Sequence, residues 1–358
     1  MKKKVTILYN KLFHYRIPIF NLLAEQYDLT VVYSYPAKDE DISQYKFKTI
    51  YVPIKKVGNL YFHKQSIKAL CKDVDVVIAY GQVSYVDYMK LAFGRRYFKL
   101  ILWSIGAPAS YGRRYGEGSS IYYAIGDFIR KRVDALIFYS DKAKEMHISR
   151  GFDANQLFVA NNTVKVEKIE LNAELKQNIL FIGTLYLEKG LQSLLDSYKE
   201  ANIVDSLIPR LIIVGGGDEF SLVKDWVVAN HMEEKIELLG PIYDRNEKAK
   251  IFQKTLACIS PDQAGLSVLE SLGYGVPFIT TKDAITGGES FNIQNNFNGI
   301  LMESISELKD TILEVSRNRD KYIKMGENAY SYYWTNRTPE IMAKGIEDAI
   351  EYSLTIKK

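Results

Sequence analysis

Short apolar runs alternate with stretches of helical spacing along the whole chain. In the first half the runs are Val5–Tyr9, Leu29–Tyr33, Val74–Ala79, Leu100–Trp103 and Ala135–Ser140. In the second half they are Ile179–Gly183, Leu211–Val214, Ile236–Leu239, Leu256–Ser260 and Pro277–Thr280. Each is nearly continuous rather than alternating, which marks strands covered on both faces. Between them, Leu191, Leu194, Leu195 and Tyr198 recur at helical spacing, and so do Leu222, Val223, Trp226 and Val227. Strand–helix alternation of this kind predicts an α/β protein built on parallel sheets.

A polar break near 162–177 follows the run Leu157–Ala160 and precedes a fresh strand. With 358 residues there is enough chain for two domains. The simplest partition is a Rossmann-like domain over 1–168, a second over 175–337, and a last helix over 338–358 that crosses back to the first. That helix has Thr338 as N-cap and Pro339 at its first position, with Met342, Ile346, Ala349 and Ile350 on one face.

Composition narrows the classes. No apolar run is long enough to cross a bilayer, and Val5–Tyr9 is too short for a signal-peptide core. Cys71 and Cys258 read as buried free thiols of a cytoplasmic protein, and four histidines without ligand spacing argue against zinc. Charge is unevenly spread. Residues 1–170 carry 27 Lys and Arg against 16 Asp and Glu, a net of +11, while 171–358 carry 20 against 27, a net of −7. A basic half suggests an anionic partner. Its clusters are Arg95-Arg96, Arg113-Arg114 and Arg130-Lys131-Arg132, with Ile121, Tyr122, Ile125, Phe128 and Ile129 as an apolar stripe beside the last. The stripe is expected to face a core; docking to anionic lipid is the functional alternative. No recognition motif supports nucleic acid.

Four loops of the second half follow strand ends and are expected to cluster, because ligands of open parallel sheets bind at the carboxyl ends of the strands. The first runs from Gly183 to Lys189-Gly190 and offers a lysine at a helix start. The second carries Gly215, Gly216 and Gly217. The third, Gly240-Pro241, is a tight turn that could seat a base. The fourth is SPDQAGLSVLESLGYGVPFIT, Ser260 to Thr280, where a helix is expected to open near Gly265. Asp262 would stand at the helix entrance and Glu270 about two turns along it. Free N–H groups at a helix start suit phosphate, and a carboxylate suits a ribose diol. Metal ligation and acid–base work stay open for such a pair. Two decoys are set aside. Gly216-Gly217-Asp218-Glu219-Phe220 spells a cyclase signature but is followed by a helix pattern, not a strand. Asp73-Val74-Asp75 imitates a metal-binding motif but sits at the entrance of its strand.

Together the four loops resemble glycosyltransferase family 4, retaining enzymes with the GT-B fold. The resemblance rests on Gly183-Thr184-Leu185 with Glu188-Lys189-Gly190, on Val214 to Glu219, and on Asp262 and Glu270 with Gly265-Leu266, Gly275 and Pro277. Gly287-Gly288-Glu289 and Asn298-Gly299-Ile300 are similar to later segments of the family. His14-Tyr15-Arg16-Ile17-Pro18-Ile19-Phe20 is similar to the start of its polysaccharide-assembly members. It covers the second half well and the first half loosely.

What the resemblance implies is a two-domain GT-B enzyme with its domains facing across a cleft. It would move a hexose from a nucleotide diphosphate sugar to an acceptor hydroxyl, with retention, on a lipid-linked surface glycan at the inner face of the membrane. No cofactor or metal is expected. Lys189 would neutralise the diphosphate, Asp262 would contact the donor hexose and Glu270 the ribose. Gly183, Thr184, Ala264, Gly265, Leu266, Ser267, Gly215, Gly240 and Pro241 would line the donor site. His14, Arg16, Ile105 and Gly106 would lie on the acceptor side. The sequence departs from the pattern at Thr184, where the family has arginine, at Asp262, where it has glutamate, and at Ile105, where many members have histidine. Arg16 is the candidate replacement for the missing cation. A nucleotide-sugar epimerase and a non-catalytic nucleotide-sugar binder are the alternatives.

Overall fold

The computed structural model describes residues 1–35, 42–108 and 115–356. They form two compact units. One comprises Met1–Pro108, Gly116–Thr163 and Pro339–Lys358; the other is Val164–Thr338 together with Tyr115.

The first unit is built on a seven-stranded sheet, in the spatial order Lys48–Tyr51, Asp28–Tyr33, Lys4–Leu8, Val76–Tyr80, Lys99–Ser104, Ala135–Phe138, Leu157–Val159. Every neighbouring pair runs parallel. Ile7, Val31, Ile78, Ile101 and Ile137 are buried on one face and Leu8, Val32, Val77, Leu100 and Leu136 on the other, so both faces of these strands are covered. Three strands of this unit were not visible in the apolar pattern. Lys48–Tyr51 is a mostly exposed edge strand, and Ile54–Val57 with Leu60–His63 form an antiparallel hairpin turning at Gly58.

The last helix, Pro339–Thr355, belongs to this unit. Its Met342, Ala343, Ile346, Ala349 and Ile350 share one core with Ile7, Ile19, Phe20, Val31 and Trp103. Gly345 permits the close approach: a Cβ there would lie 2.2 Å from the Val159 carbonyl oxygen.

The second unit has a six-stranded parallel sheet in the order Ile236–Gly240, Arg210–Val214, Asn178–Ile182, Thr255–Ile259, Phe278–Thr281, Gly299–Met302. The order reverses between Asn178–Ile182 and Thr255–Ile259, and a crevice opens outside the carboxyl ends of strands at such a point. The polar break is not a free linker. Val166 is buried in this unit's core, Tyr333 donates its hydroxyl to the Val164 carbonyl and Tyr330 to that of Ile169. The chain therefore joins the second unit at Val164, several residues before the boundary read from polarity, because alternate apolar residues anchor the segment.

Gly345→Val should overpack the contact between the last helix and Leu157–Val159, where the opposing atom is backbone and cannot rotate away. The expected loss is about 1–3 kcal/mol, read as a lowered thermal-unfolding midpoint.

Candidate functional site

Three of the four loops are knitted together by backbone. The Gly183 N–H donates to the Val214 carbonyl at 3.0 Å, Leu185 to Gly216 at 3.0 Å and Gly215 to Gly240 at 2.9 Å. Gly215 sits at φ +155°, and a Cβ on it would fall 1.8 Å from the Gly183 carbonyl oxygen. Only glycine fits there, so the turns after Asn178–Ile182, Arg210–Val214 and Ile236–Gly240 are fixed against one another. Pro241 packs over Gly216. Thr184 is exposed between Gly183 and the buried Leu185.

Lys189 ends the one-turn helix Leu187–Lys189 and is followed by Gly190 at φ +70°. Its side chain folds inward and is 6 % exposed, with Nζ 5.7 Å from the Tyr186 ring and 3.4 Å from where a Gly183 Cβ would stand. Burial pushes its ammonium down to about 8, opposed by the Cys258 and Glu289 side chains. Lys189 is therefore a desolvated cation at the topological switch of the sheet.

Asp262 meets the same turn from the other side. A Cβ on Gly190 would lie 2.5 Å from Asp262 Oδ2, so the carboxylate rests against the start of the helix Leu191–Val204. A negative charge there faces the positive end of the helix. Half-burial raises the Asp262 carboxyl above its ordinary range. Its carbonyl accepts the Ile285 N–H, continuing a short parallel ladder of Gln263–Ala264 with Ile285–Thr286. Tyr186 donates its hydroxyl to Gln263 Oε1, tying the first loop to the fourth.

The ladder delays the helix. It starts at Ser267, close to Gly265, whose carbonyl already accepts the Val268 N–H, but Glu270 lies in its first turn rather than two turns in. Gly265 faces open space. The Ser267 hydroxyl oxygen is buried with no hydrogen-bond partner among the described residues. Glu270 is 9 % exposed and takes a 2.8 Å ion pair from Lys248 Nζ, on the helix Arg245–Gln253. The buried Cys258 thiol is pushed up to about 12 by burial and feels the charges of both Glu270 and Lys189.

One site residue, Lys248, went unnamed in the sequence, and Glu289 was named only within a segment of the resemblance, with no role. Lys248 borders the buried face formed by Ala249 and Phe252, which is the signal that could have marked it. Glu289 is buried, accepts the Gly287 N–H at 2.9 Å and acts electrostatically on Lys189.

The structure thus brings Lys189, Asp262, Glu270, Gly183, Thr184, Gly215, Gly240, Pro241 and Ala264 to Ser267 into one loop cluster of the second unit. His14, Arg16, Ile105 and Gly106 belong to the first unit. His14 is exposed and edge-on to Tyr15. Ile105 packs against the first unit's core. Gly106, at φ +85°, leaves no room for a Cβ beside Ala143 and Phe138. Arg16 corrects an expectation. It is 2 % exposed, with its guanidinium 4.9 Å from the Tyr139 ring, 5.1 Å from Tyr15 and 5.2 Å from Trp103, and Nη1 donates to Met342 Sδ. The aromatic faces hold it by cation–π attraction inside a core. It is not presented as a free cation that could replace an arginine at Thr184.

Comparison with known proteins adds the family context. Residues 164–332 match the family described as Glycosyl transferases group 1. N-acetyl-alpha-D-glucosaminyl L-malate synthase of Bacillus anthracis is 24 % identical over 64 % of this chain, and the match spans 60 % of that protein's length. An uncharacterized glycosyltransferase of Methanocaldococcus jannaschii is 22 % identical over 89 % of this chain and 84 % of its own. The solved structure of Anabaena HepE in complex with UDP superimposes with a TM-score of 0.71 at 14 % identity, covering 97 % of this chain and 99 % of that one. The fold is GT-B. In this GT-B chain the family match falls on the second unit, the one that holds the loop cluster.

Lys248→Met should strand Glu270 as a mostly buried, unpaired carboxylate. The expected cost is about 1–3 kcal/mol, less than for a fully buried pair because both groups keep some solvent. Adding Glu270→Gln should recover most of it. A double-mutant cycle by urea unfolding checks this, and additive single losses would show the pair to be idle.

Proposed function

We propose that the protein is a retaining glycosyltransferase that moves a hexose from a nucleotide diphosphate sugar to an acceptor hydroxyl. The observation that carries the proposal is the placement of a desolvated Lys189 beside Asp262 and Glu270 at the switch point of the second sheet. Departure of a nucleoside diphosphate concentrates negative charge on the leaving oxygens. A fixed cation in a dry site stabilises that charge more strongly than it stabilises the bound donor. Lys189 is such a cation, and the N–H groups from Ala264 to Ser267 add oriented dipoles.

Glu270 keeps one oxygen committed to Lys248 and has a second with which to accept from a ribose diol. Asp262, half-buried at the start of a helix, is placed to accept from hexose hydroxyls. Gly240-Pro241, next to Gly216, would seat the base through backbone contacts. HepE has been solved with UDP-glucose, which supports a nucleotide-sugar donor here. Retention rests on the family resemblance. We extend the proposal to an acceptor on a lipid-linked surface glycan and to action at an anionic membrane face, in line with the basic first half of the chain. No step is assigned to a metal or cofactor.

Thermal-shift screening against UDP-, GDP- and ADP-sugars should reveal one stabilising donor class. With that donor, Lys189→Ala and Glu270→Ala should each lower kcat/KM roughly tenfold or more; near wild-type rates for both would sink the assignment. Because Lys189 is charged below its pKa, kcat/KM should fall as pH rises through about 8. Lys189→Arg should keep some activity and lose that alkaline limb. Conversion of the donor without any acceptor would point instead to an epimerase.

A further inference from the structure

The helix Ser120–Arg130 does not bury its apolar stripe. Ile121 is 70 % exposed, Ile125 50 % and Phe128 54 %, at positions that share one face. Ile129, one turn beyond Ile125 at the flank of the same stripe, is buried. The stripe continues onto the segment leading into Lys99–Ser104, where Phe93 is 43 % and Tyr97 77 % exposed. The Phe93 and Phe128 rings lie 6.0 Å apart, so the two segments form one patch.

Cations are interleaved with these rings. The Arg132 guanidinium stacks 3.6 Å from the Phe128 ring centre and 5.5 Å from that of Phe93, and Arg95 lies 5.2 Å from that of Tyr97. Behind Tyr97 opens a cavity of about 400 Å3 lined by Lys68, Lys72, Arg95, Arg96 and Phe98. The nearby carboxylates are already committed: Asp127 pairs with Arg130 and Arg150, and Asp134 with Arg96. Arg113 and Arg114 lie outside the described residues and play no part in the argument.

Exposed large apolar side chains forming a contiguous patch mark an interaction surface. Two features select its partner. Among the described residues, the charges interleaved with these rings that carry no ion pair, Arg95 and Arg132, are positive, and the aromatic rings carry polar edges or stacked guanidiniums, the composition of surfaces that lie in a lipid headgroup layer. Among the described residues no helix is long and apolar enough to cross a membrane, so contact would be from one side. We propose that Phe93, Tyr97, Ile121, Ile125 and Phe128 insert into the headgroup layer of an anionic bilayer. Arg95 and Arg132, with Lys68 and Lys72 at the adjoining cavity, take lipid phosphates. The surface lies wholly in the first unit and does not depend on the donor reading of the second.

Vesicle flotation of the full chain tests this. Vesicles are either phosphatidylcholine alone or equal parts phosphatidylcholine and phosphatidylglycerol. The protein should float with the anionic vesicles roughly tenfold more than with neutral ones, and raised salt should weaken binding. Phe128→Asp and the pair Arg95→Glu with Arg132→Glu should each reduce flotation roughly tenfold or more while leaving the unfolding midpoint near wild type. These side chains are exposed, so a misfolded variant would show in that midpoint; Phe128→Trp should then retain binding. Equal binding to both vesicle types, no binding, or binding indifferent to all these substitutions would overturn the proposal. So would a shift of the wild-type chain to a dimer that Phe128→Asp abolishes in the absence of lipid.

Discussion

Backbone meeting backbone at Gly183 and Gly215 is the constraint on which the second unit's site depends. With the Gly183 carbonyl oxygen 1.8 Å from the space a Cβ would fill, the two strand ends are as close as the chain allows. Hydrogen bonds from Gly183, Leu185 and Gly215 then fix three loops in a single arrangement before any ligand arrives. The fourth loop is drawn in by a side chain, Tyr186 onto Gln263, and by the packing of Asp262 against Gly190. A site assembled this way needs little reorganisation to bind, since its ordering cost was met in folding.

The same unit shows how charge is kept inside a fold without collapse. Glu270 has an ammonium partner. Lys189 has none at hydrogen-bond range among the described residues and answers burial with a lowered affinity for its proton. Arg16, in the other unit, cannot give up its proton and is instead wrapped in tyrosine and tryptophan faces. These are three physical solutions to one desolvation problem. Only the middle one leaves a cation that gains by meeting a phosphate.

Much of the fold was legible because parallel strands buried on both faces announce themselves as unbroken apolar runs. All ten runs read from the sequence are strands, with ends shifted by a residue or two. Lys48–Tyr51 escaped because an exposed edge strand has no reason to be apolar, and the Val164–Ile169 segment misled because its charged residues mask the alternate apolar anchors. At the site, glycines, Lys189 and the two carboxylates are local signals and were visible. The Lys248–Glu270 pair was not, since it joins residues from two helices, and neither was the fate of Arg16. Its cage is assembled from positions 9, 15, 103, 139 and 342. Glu270 was placed a turn too deep because a two-residue ladder, too short to leave a periodic trace, postpones the helix.

The return of Pro339–Thr355 to the first unit carries a consequence for how the molecule is made. The second unit is essentially one unbroken stretch of chain, Val164–Thr338, and can close its core as soon as that stretch has left the ribosome. The first unit, although its strands are synthesised earlier, lacks Met342, Ile346 and Ile350 from its core until the chain beyond the second unit has been made. Domains usually mature in the order in which they emerge. Here the order is inverted, and until Pro339–Thr355 has been made the first unit's sheet waits with one face unsealed, a natural client for a chaperone.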